Sequence, residues 1–271
     1  MSNNSYTGYI KLTKNEAASF YSNEYNTEEL KENQYLIVDK DTIYCKQDGE
    51  LRRVQYPIIS NKWNGKIKPK EQYQEIAIDI LKDKTSKVKL IRGIYGSGKD
   101  HLMINTALEL IEKGKFNKIV FIRPNVTLAN VPQIGYLPNG VEEKLAWTLA
   151  PLYDKLGGQE GVENLTEEGK LEMVPLLFIR GRSFENSIIY VTEAQNIDSE
   201  IAKVLLSRIG NNSELWLNGD SHQSDMRVFD TDNGLTKMVE RLAGNKLFSY
   251  VYLPITHRSD AANLANLLDD E

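Results

Sequence analysis

Lys89-Leu90-Ile91-Arg92-Gly93-Ile94-Tyr95-Gly96-Ser97-Gly98-Lys99-Asp100-His101-Leu102 decides the fold of this 271-residue chain. A short apolar strand, Val88 to Ile91, runs into a glycine-rich turn and a lysine, and helical periodicity follows from His101 to Lys113. Gly93, four residues, Gly98 and Lys99 match a phosphate-binding loop except at the last position, where Asp100 stands instead of serine or threonine. Glycines let such a loop turn its N–H groups inward, the helix start adds a positive dipole end, and the lysine reaches the outer phosphates. A glycine-rich turn also serves as a plain strand-to-helix connection. The strand before it, the helix after it and the lysine in register favour nucleotide binding, with Gly93, Ile94, Tyr95, Gly96, Ser97, Gly98, Lys99, Asp100 and His101 as the contact set.

Outward from the loop, strands alternate with helices. Glu71 to Lys82 reads as an amphipathic helix before the loop strand, and Lys118 to Ile122 as a buried strand closed by Arg123-Pro124. Val141 to Leu156 reads as a helix, Gly157 to Lys170 as an insertion, and Leu176 to Ile179 as a strand. Ser187 to Val191 is a buried strand ending in Thr192-Glu193, followed by a helix from Ser199 to Ile209 and a strand at Leu215 to Leu217. Leu235 to Leu242 (helix), Phe248 to Leu253 (strand) and Ser259 to Leu268 (helix) complete the chain. The alternation predicts an α/β fold with a mostly parallel sheet. Before it, Tyr35 to Val38, Thr42 to Tyr44 and Leu51 to Val54 predict a small antiparallel β unit, with turns at Asp39-Lys40-Asp41 and Asp48-Gly49. The division expected is residues 1–60 as a β-rich region and 61–271 as the main domain. Asn61 to Lys70, with four lysines around Trp63, reads either as a solvated linker or as a contact surface.

Composition sets limits. The chain is 41% apolar and 26% charged, with a net charge of −5, so the surface as a whole does not advertise nucleic acid or an anionic membrane. One cysteine, Cys45, excludes an internal disulfide and a cysteine-rich metal site, and its strand setting predicts a buried inert thiol. The polar opening, Met1 to Lys11, lacks a signal-peptide core and no apolar run would span a bilayer, so a cytoplasmic location is expected.

Polar clusters fall where strands end: Lys99, Arg123, Glu193 with Gln195, Asp220 with Gln223. Ligands of open α/β sheets bind at that edge. Each cluster alone has a plainer reading as a helix cap or surface ion pair. Together they compose a nucleotide-hydrolysis site: Glu193 to orient the attacking water, Gln195, Asp220 and Gln223 to sense the γ-phosphate, and an arginine to stabilise the transition state. The histidines His101, His222 and His257 have no partner at metal-ligand spacing and read as incidental.

The ordered motifs resemble the PhoH family. They are Gly93…Gly98-Lys99, Ile122-Arg123-Pro124-Asn125-Val126, Ile134-Gly135-Tyr136-Leu137-Pro138, Glu142-Glu143-Lys144 and Pro151-Leu152-Tyr153. Ile179-Arg180-Gly181-Arg182, Glu193-Ala194-Gln195-Asn196, Gly219-Asp220…Gln223, Asn233-Gly234-Leu235 and His257-Arg258-Ser259 continue the series. The chain looks most like the PhoH half of proteins that join an N-terminal PIN nuclease to a PhoH ATPase, and the nuclease half has no counterpart in it. The resemblance implies a RecA-like P-loop NTPase core, ATP as ligand, a homohexameric ring, and ATPase or helicase-like work on RNA or other single-stranded nucleic acid. Carried over by motif, Gln72 reads the adenine edge with Trp63 nearby, Arg258 is the first choice for an arginine finger, Arg180 and Arg182 are second, and Arg123 lies near the nucleic-acid path.

Two departures fall on the magnesium site. The family has Lys-Thr after the glycines and Asp-Glu-Ala-Gln-Asn on the later strand; this chain has Lys99-Asp100 and Thr192-Glu193-Ala194-Gln195-Asn196. Hydroxyl and carboxylate have changed places, so Asp100 and Thr192 are the expected Mg²⁺ ligands. A carboxylate about 4 Å from a phosphate charge costs on the order of 4 kcal/mol at an effective dielectric near 20. A bound Mg²⁺ reverses that sign, which predicts strongly metal-dependent nucleotide binding. Three functions stay open: a nucleic-acid-stimulated ATPase, a nucleotide-binding oligomer that does not turn over, and a small-molecule phosphotransferase, which the motif order disfavours.

Overall fold

The computed structural model describes residues 6–124, 150–220 and 232–257. Its amino-terminal part is a sheet of β1 (Tyr9–Lys11), β2 (Tyr35–Asp39), β3 (Thr42–Gln47) and β4 (Glu50–Arg53), in that order. β2, β3 and β4 pair antiparallel as expected, and β1 joins β2 in parallel. At the β3–β4 turn Asp48 and Gly49 take left-handed backbone, φ 51° and 82°, which a tight hairpin requires. Helix α1 (Lys14–Tyr21) opens on a capping box between Thr13 and Glu16. Cys45 is buried in β3, and burial pushes its thiol up to about 12.

The stretch read as linker or contact surface is a hairpin of β5 (Ile59–Asn61) and β6 (Gly65–Ile67). Asn61 explains the turn: its side-chain oxygen accepts the N–H groups of Trp63 and Asn64. The amides of Asn61 and Asn64 both donate to Asn105 on the helix behind the glycine-rich loop, at 2.9 and 2.8 Å. Residue 60 therefore lies inside a hairpin docked on the main domain.

Next come α2 (Gln72–Lys82), β7 (Val88–Gly93), α3 (Lys99–Glu112) and β8 (Lys118–Ile122). After α4 (Ala150–Tyr153) and α5 (Gln159–Glu167) come β9 (Leu171–Met173), β10 (Ser187–Val191), α6 (Ser199–Leu206), β11 (Glu214–Gly219), α7 (Gly234–Leu242) and β12 (Phe248–Leu253). Strands β7 to β12 form one sheet in the order β12-β7-β11-β10-β8-β9, parallel throughout. Side chains alternate between its faces. Ile188 and Tyr190 of β10 face a core shared with α2, α3 and the N-terminal strands, while Ile189 and Val191 face one shared with α6 and α7. Helices on both faces of a parallel sheet explain the continuous apolar runs of its strands. The chain is an α/β protein built on a parallel six-stranded sheet.

One expected strand is absent. Leu176–Phe178 form a 3₁₀ turn, and the edge strand lies earlier, at Leu171–Met173. Pro175 separates the two; it has no N–H to donate to a ladder and its fixed φ of −59° leads into the turn.

At the other edge, the segment before β1 runs beside β12. Tyr252 N–H donates to the Thr7 carbonyl (3.0 Å), and a Cβ at Gly8 would stand 1.9 Å from the Tyr250 carbonyl oxygen. The Asn33 amide donates to the carbonyls of Asn245, Lys246 and Phe248, fastening the small sheet to the same edge. Among the described residues no helix is long and apolar enough to cross a membrane.

Candidate active site

The glycine-rich loop is shaped by close approach. A Cβ at Gly93 would stand 2.6 Å from the Leu253 carbonyl oxygen on β12, so a side chain does not fit. Gly98, the residue before α3, sits at φ 91°, a region that L side chains rarely occupy. The loop is held from two sides. Gln74, buried on α2, donates to the Ser97 carbonyl (3.0 Å) and accepts from Lys70 N–H (2.9 Å). The backbone N–H of His257 donates to the Gly96 carbonyl (2.9 Å). Lys99 donates to the carbonyls of Gly93 (2.7 Å) and Ile94 (2.9 Å). The Ser97 hydroxyl is buried with no hydrogen-bond partner among the described residues. An orphaned hydroxyl inside a glycine curl, at a helix start whose first amides have no intrahelical acceptor, fits a phosphate.

The sheet register brings three strand ends together. Thr192 follows β10, Asn218 is the last residue but one of β11 beside it, and α3 rises from the end of β7 on the far side of β11. Here Asp100, in the first turn of α3, meets its partners. Its Oδ1 accepts from the Tyr190 hydroxyl (2.5 Å), the Asn218 amide (2.8 Å) and the Thr192 hydroxyl (3.0 Å). Among the described residues Oδ2 accepts no hydrogen bond. Asp100 and Thr192, the two residues expected to hold Mg²⁺, are therefore in direct contact. Burial first, and then the Asp100 carboxylate, raise the Tyr190 phenol well above its ordinary value, so it stays a donor.

Glu193 follows in left-handed backbone, φ 52°, sparsely populated for a residue with a side chain. Its N–H donates to Asn218 Oδ1 (3.1 Å), and its carboxylate accepts from the Gln195 amide (2.7 Å). Gln195 Oε1 in turn accepts Asp220 N–H (3.1 Å), and its carbonyl accepts from Asn233 (3.0 Å), the residue that caps α7. A Cβ at Gly219 would crowd both Gln195 and Leu235, which explains the glycine before Asp220. Lys99, Asp100, Thr192, Glu193, Gln195 and Asp220 thus converge at one edge.

Other expected residues stand apart from this network. The Gln72 amide donates to the Asp39 carbonyl. Trp63 packs against Gly161 of α5, with the Lys62 ammonium over its ring. Arg123 sits half-buried at the end of β8, next to the Ile122 carbonyl that accepts Thr192 N–H. Arg182 pairs with Glu172 on the edge strand (2.6 Å) and stacks on Phe184, while Arg180 is exposed. His101 approaches Asn105, and burial followed by the Lys155 and Lys70 ammoniums lowers its pKa. Gln223 and Arg258 lie outside the described residues, as do His222 and the motifs between 125 and 149.

Sequence reasoning missed Tyr190, Asn218 and Gln74. Tyr190 carried a signal: two residues before Thr192 on a strand, it must share that residue's face. Among the described residues no three His, Cys, Asp or Glu side chains cluster for a metal. The oxygen set of Asp100 and Thr192 still suits Mg²⁺, which takes one or two protein oxygens and completes its shell with phosphate and water.

A family model described as PhoH-like protein matches residues 66–261. Protein PhoH2 of Thermobispora bispora is 34% identical over 202 residues, which are 73% of this chain and 46% of that one. Protein PhoH2 of Bacillus subtilis is 34% identical over 73% of this chain and 47% of its own length, and a PhoH-like protein of the same organism 29% over 81% and 70%. The chain thus spans about half the length of the PhoH2 relatives. A Sulfolobus solfataricus SWI2/SNF2 ATPase core solved with dsDNA aligns at a TM-score of only 0.38 and 14% identity, over 76% of this chain and 47% of that one. On the family match and its ordered motifs, this chain belongs to the PhoH-like family.

Proposed function

We propose that the chain hydrolyses ATP with Mg²⁺ and couples the turnover to RNA or another single-stranded nucleic acid, working as a homo-oligomeric ring. The observation that carries the reading is the 3.0 Å contact between Thr192 Oγ1 and Asp100 Oδ1. A hydroxyl and a carboxylate that traded places still meet at one point beside the phosphate loop. Mg²⁺ held by Asp100 and Thr192 would supply neutralising charge to the β- and γ-phosphate oxygens. Lys99 would leave the loop carbonyls for those phosphates, and the loop amides with the Ser97 hydroxyl would cradle them. Glu193 would orient the attacking water, with Gln195 holding its carboxylate at 2.7 Å. Gln195, Asp220 and Gln223 would respond to the γ-phosphate. In this reading Arg258 reaches a neighbouring subunit, Arg180 and Arg182 come second, Arg123 borders the nucleic acid, and Gln72 meets the adenine.

A second reading is a nucleotide-binding oligomer that does not turn over. It is favoured by the three neutral donors on Asp100 Oδ1, which can hold that carboxylate as a structural group. Steady-state turnover with Mg²⁺, with and without single-stranded RNA, separates the two, on wild type and on Asp100→Thr/Thr192→Asp. Turnover in wild type, raised by RNA and lost without Mg²⁺, is the expected result. No turnover in wild type, with recovery in the double exchange, establishes the second reading instead.

A further inference from the structure

The Asn218 carboxamide spends both of its N–H donors and one acceptor lone pair at one point. Its nitrogen donates to Asp100 Oδ1 (2.8 Å) and to the Tyr190 hydroxyl (2.7 Å), and its oxygen accepts Glu193 N–H (3.1 Å). The side chain is buried, so none of these bonds is shared with bulk water. The amide orientation follows from its neighbours: turned over, its oxygen would face a carboxylate oxygen and its nitrogen an N–H. Tyr190 has a single O–H, spent on Asp100, so toward Asn218 it can only accept.

One planar group therefore bridges two groups of opposite duty. On one side is the first-turn carboxylate of α3, whose Oδ2 is left for a ligand. On the other is the backbone of Glu193, in a left-handed conformation that needs external support. No hydrogen bond joins Asp100 to Glu193 directly, and the bridge runs from the end of β11, the strand between β7 and β10. A residue in that position can register whether the carboxylate is engaged by a cation and transmit it to the backbone that aims Glu193.

We propose that Asn218 is a positioning residue that ties the cation-binding carboxylate Asp100 to the water-orienting Glu193, so that metal engagement and hydrolytic geometry form one unit. The inference rests on the ATPase reading above. It assigns Asn218 no contact with nucleotide.

The test uses the full chain with two substitutions, Asn218→Ala and the isosteric Asn218→Asp, which sets an oxygen against Asp100 Oδ1. Affinity for a fluorescent ADP is measured with and without Mg²⁺, and kcat and KM for ATP with Mg²⁺. A single cooperative thermal unfolding transition, as in wild type, certifies a folded variant. The expected result is at least a tenfold gain in ADP affinity from Mg²⁺ in wild type, cut below threefold in both variants. kcat should fall more than tenfold while KM changes less than threefold. A folded variant that keeps the Mg²⁺ gain and kcat within twofold of wild type overturns the bridge and leaves the ATPase reading standing. A wild type without any Mg²⁺ gain overturns the cation reading of Asp100 and the bridge with it. If Asn218→Ala does not fold, Asn218→Asp decides, since it conserves volume and the acceptor toward Glu193.

Discussion

The central sheet buries polar groups at both ends of its strands, and balances them in opposite ways. At the amino end Lys89 and Glu214 pair at 2.7 Å, with side chains 1% and 5% exposed. Glu214 also accepts from the Trp216 indole (2.9 Å), and Lys89 donates to the carbonyls of Leu81 and Asp83. Burial lowers the Lys89 pKa, and the Glu214 carboxylate pulls it back. At the carboxyl end Asp100 meets three donors, every one of them neutral. The first cluster carries its own countercharge and needs nothing from outside. The second holds an anion in place without neutralising it. A half-buried Asp100 whose side-chain partners among the described residues are all neutral is the setting that the proposed Mg²⁺ would use.

The comparison breaks most visibly if charge is removed from the amino end. Lys89→Met leaves the buried Glu214 with only the Lys87 ammonium, 4.0 Å away, as countercharge, and should cost about 3–5 kcal/mol in urea unfolding. Replacing both partners, Lys89→Met/Glu214→Leu, should recover most of that loss. At the other end Asp100→Ala leaves three donors short of an acceptor, a smaller loss of about 1–3 kcal/mol by the same measurement. The same substitution should tighten metal-free nucleotide binding and abolish any gain from Mg²⁺; a loss of metal-free affinity would show that Asp100 repels no phosphate. Tyr190→Phe removes one neutral donor and should cost about 0.5–1.5 kcal/mol. Its phenol should not ionise in a spectroscopic titration until well beyond the ordinary tyrosine range, because burial and the Asp100 charge raise its pKa.

The smallest effect belongs to charges left half in water. Burial would raise the Glu172 carboxyl, but hydrogen bonds from Lys118 and Arg182 hold it below the usual glutamate range. A depressed carboxyl stabilises the fold above its unfolded pKa, and that contribution is lost as pH falls through the folded value. Glu172→Gln should cost under about 1 kcal/mol at neutral pH and nothing measurable in strong acid.

What the sequence revealed was the chemistry that is local in the chain. The phosphate loop is one strand, one turn and one helix, and glycine spacing with Lys99 is enough to read it. Glu193 and Thr192 were visible because a buried apolar run ends on them. Asn218 was not, since its role exists only once β11 is placed between β7 and β10, and strand order is not written in any one segment. Gln74 likewise matters only because α2 packs its first turn against the loop. The edge strand was misplaced by five or six residues because Leu176 to Ile179 is the more apolar stretch, while Pro175 and three ladder partners on β8 favour Leu171–Met173.

The segment lying along β12 has a meaning beyond its hydrogen bond. A parallel sheet ends in a row of main-chain groups that will accept a strand from any neighbour, including another copy still folding. Thr7 occupies one such group, Gly8 lies against the backbone of Tyr250, and Asn33 takes up three carbonyls at the start of the same strand. Thr7, Gly8 and Asn33 thus act as a selvedge along β12, finishing the weave so that it does not extend into the next molecule.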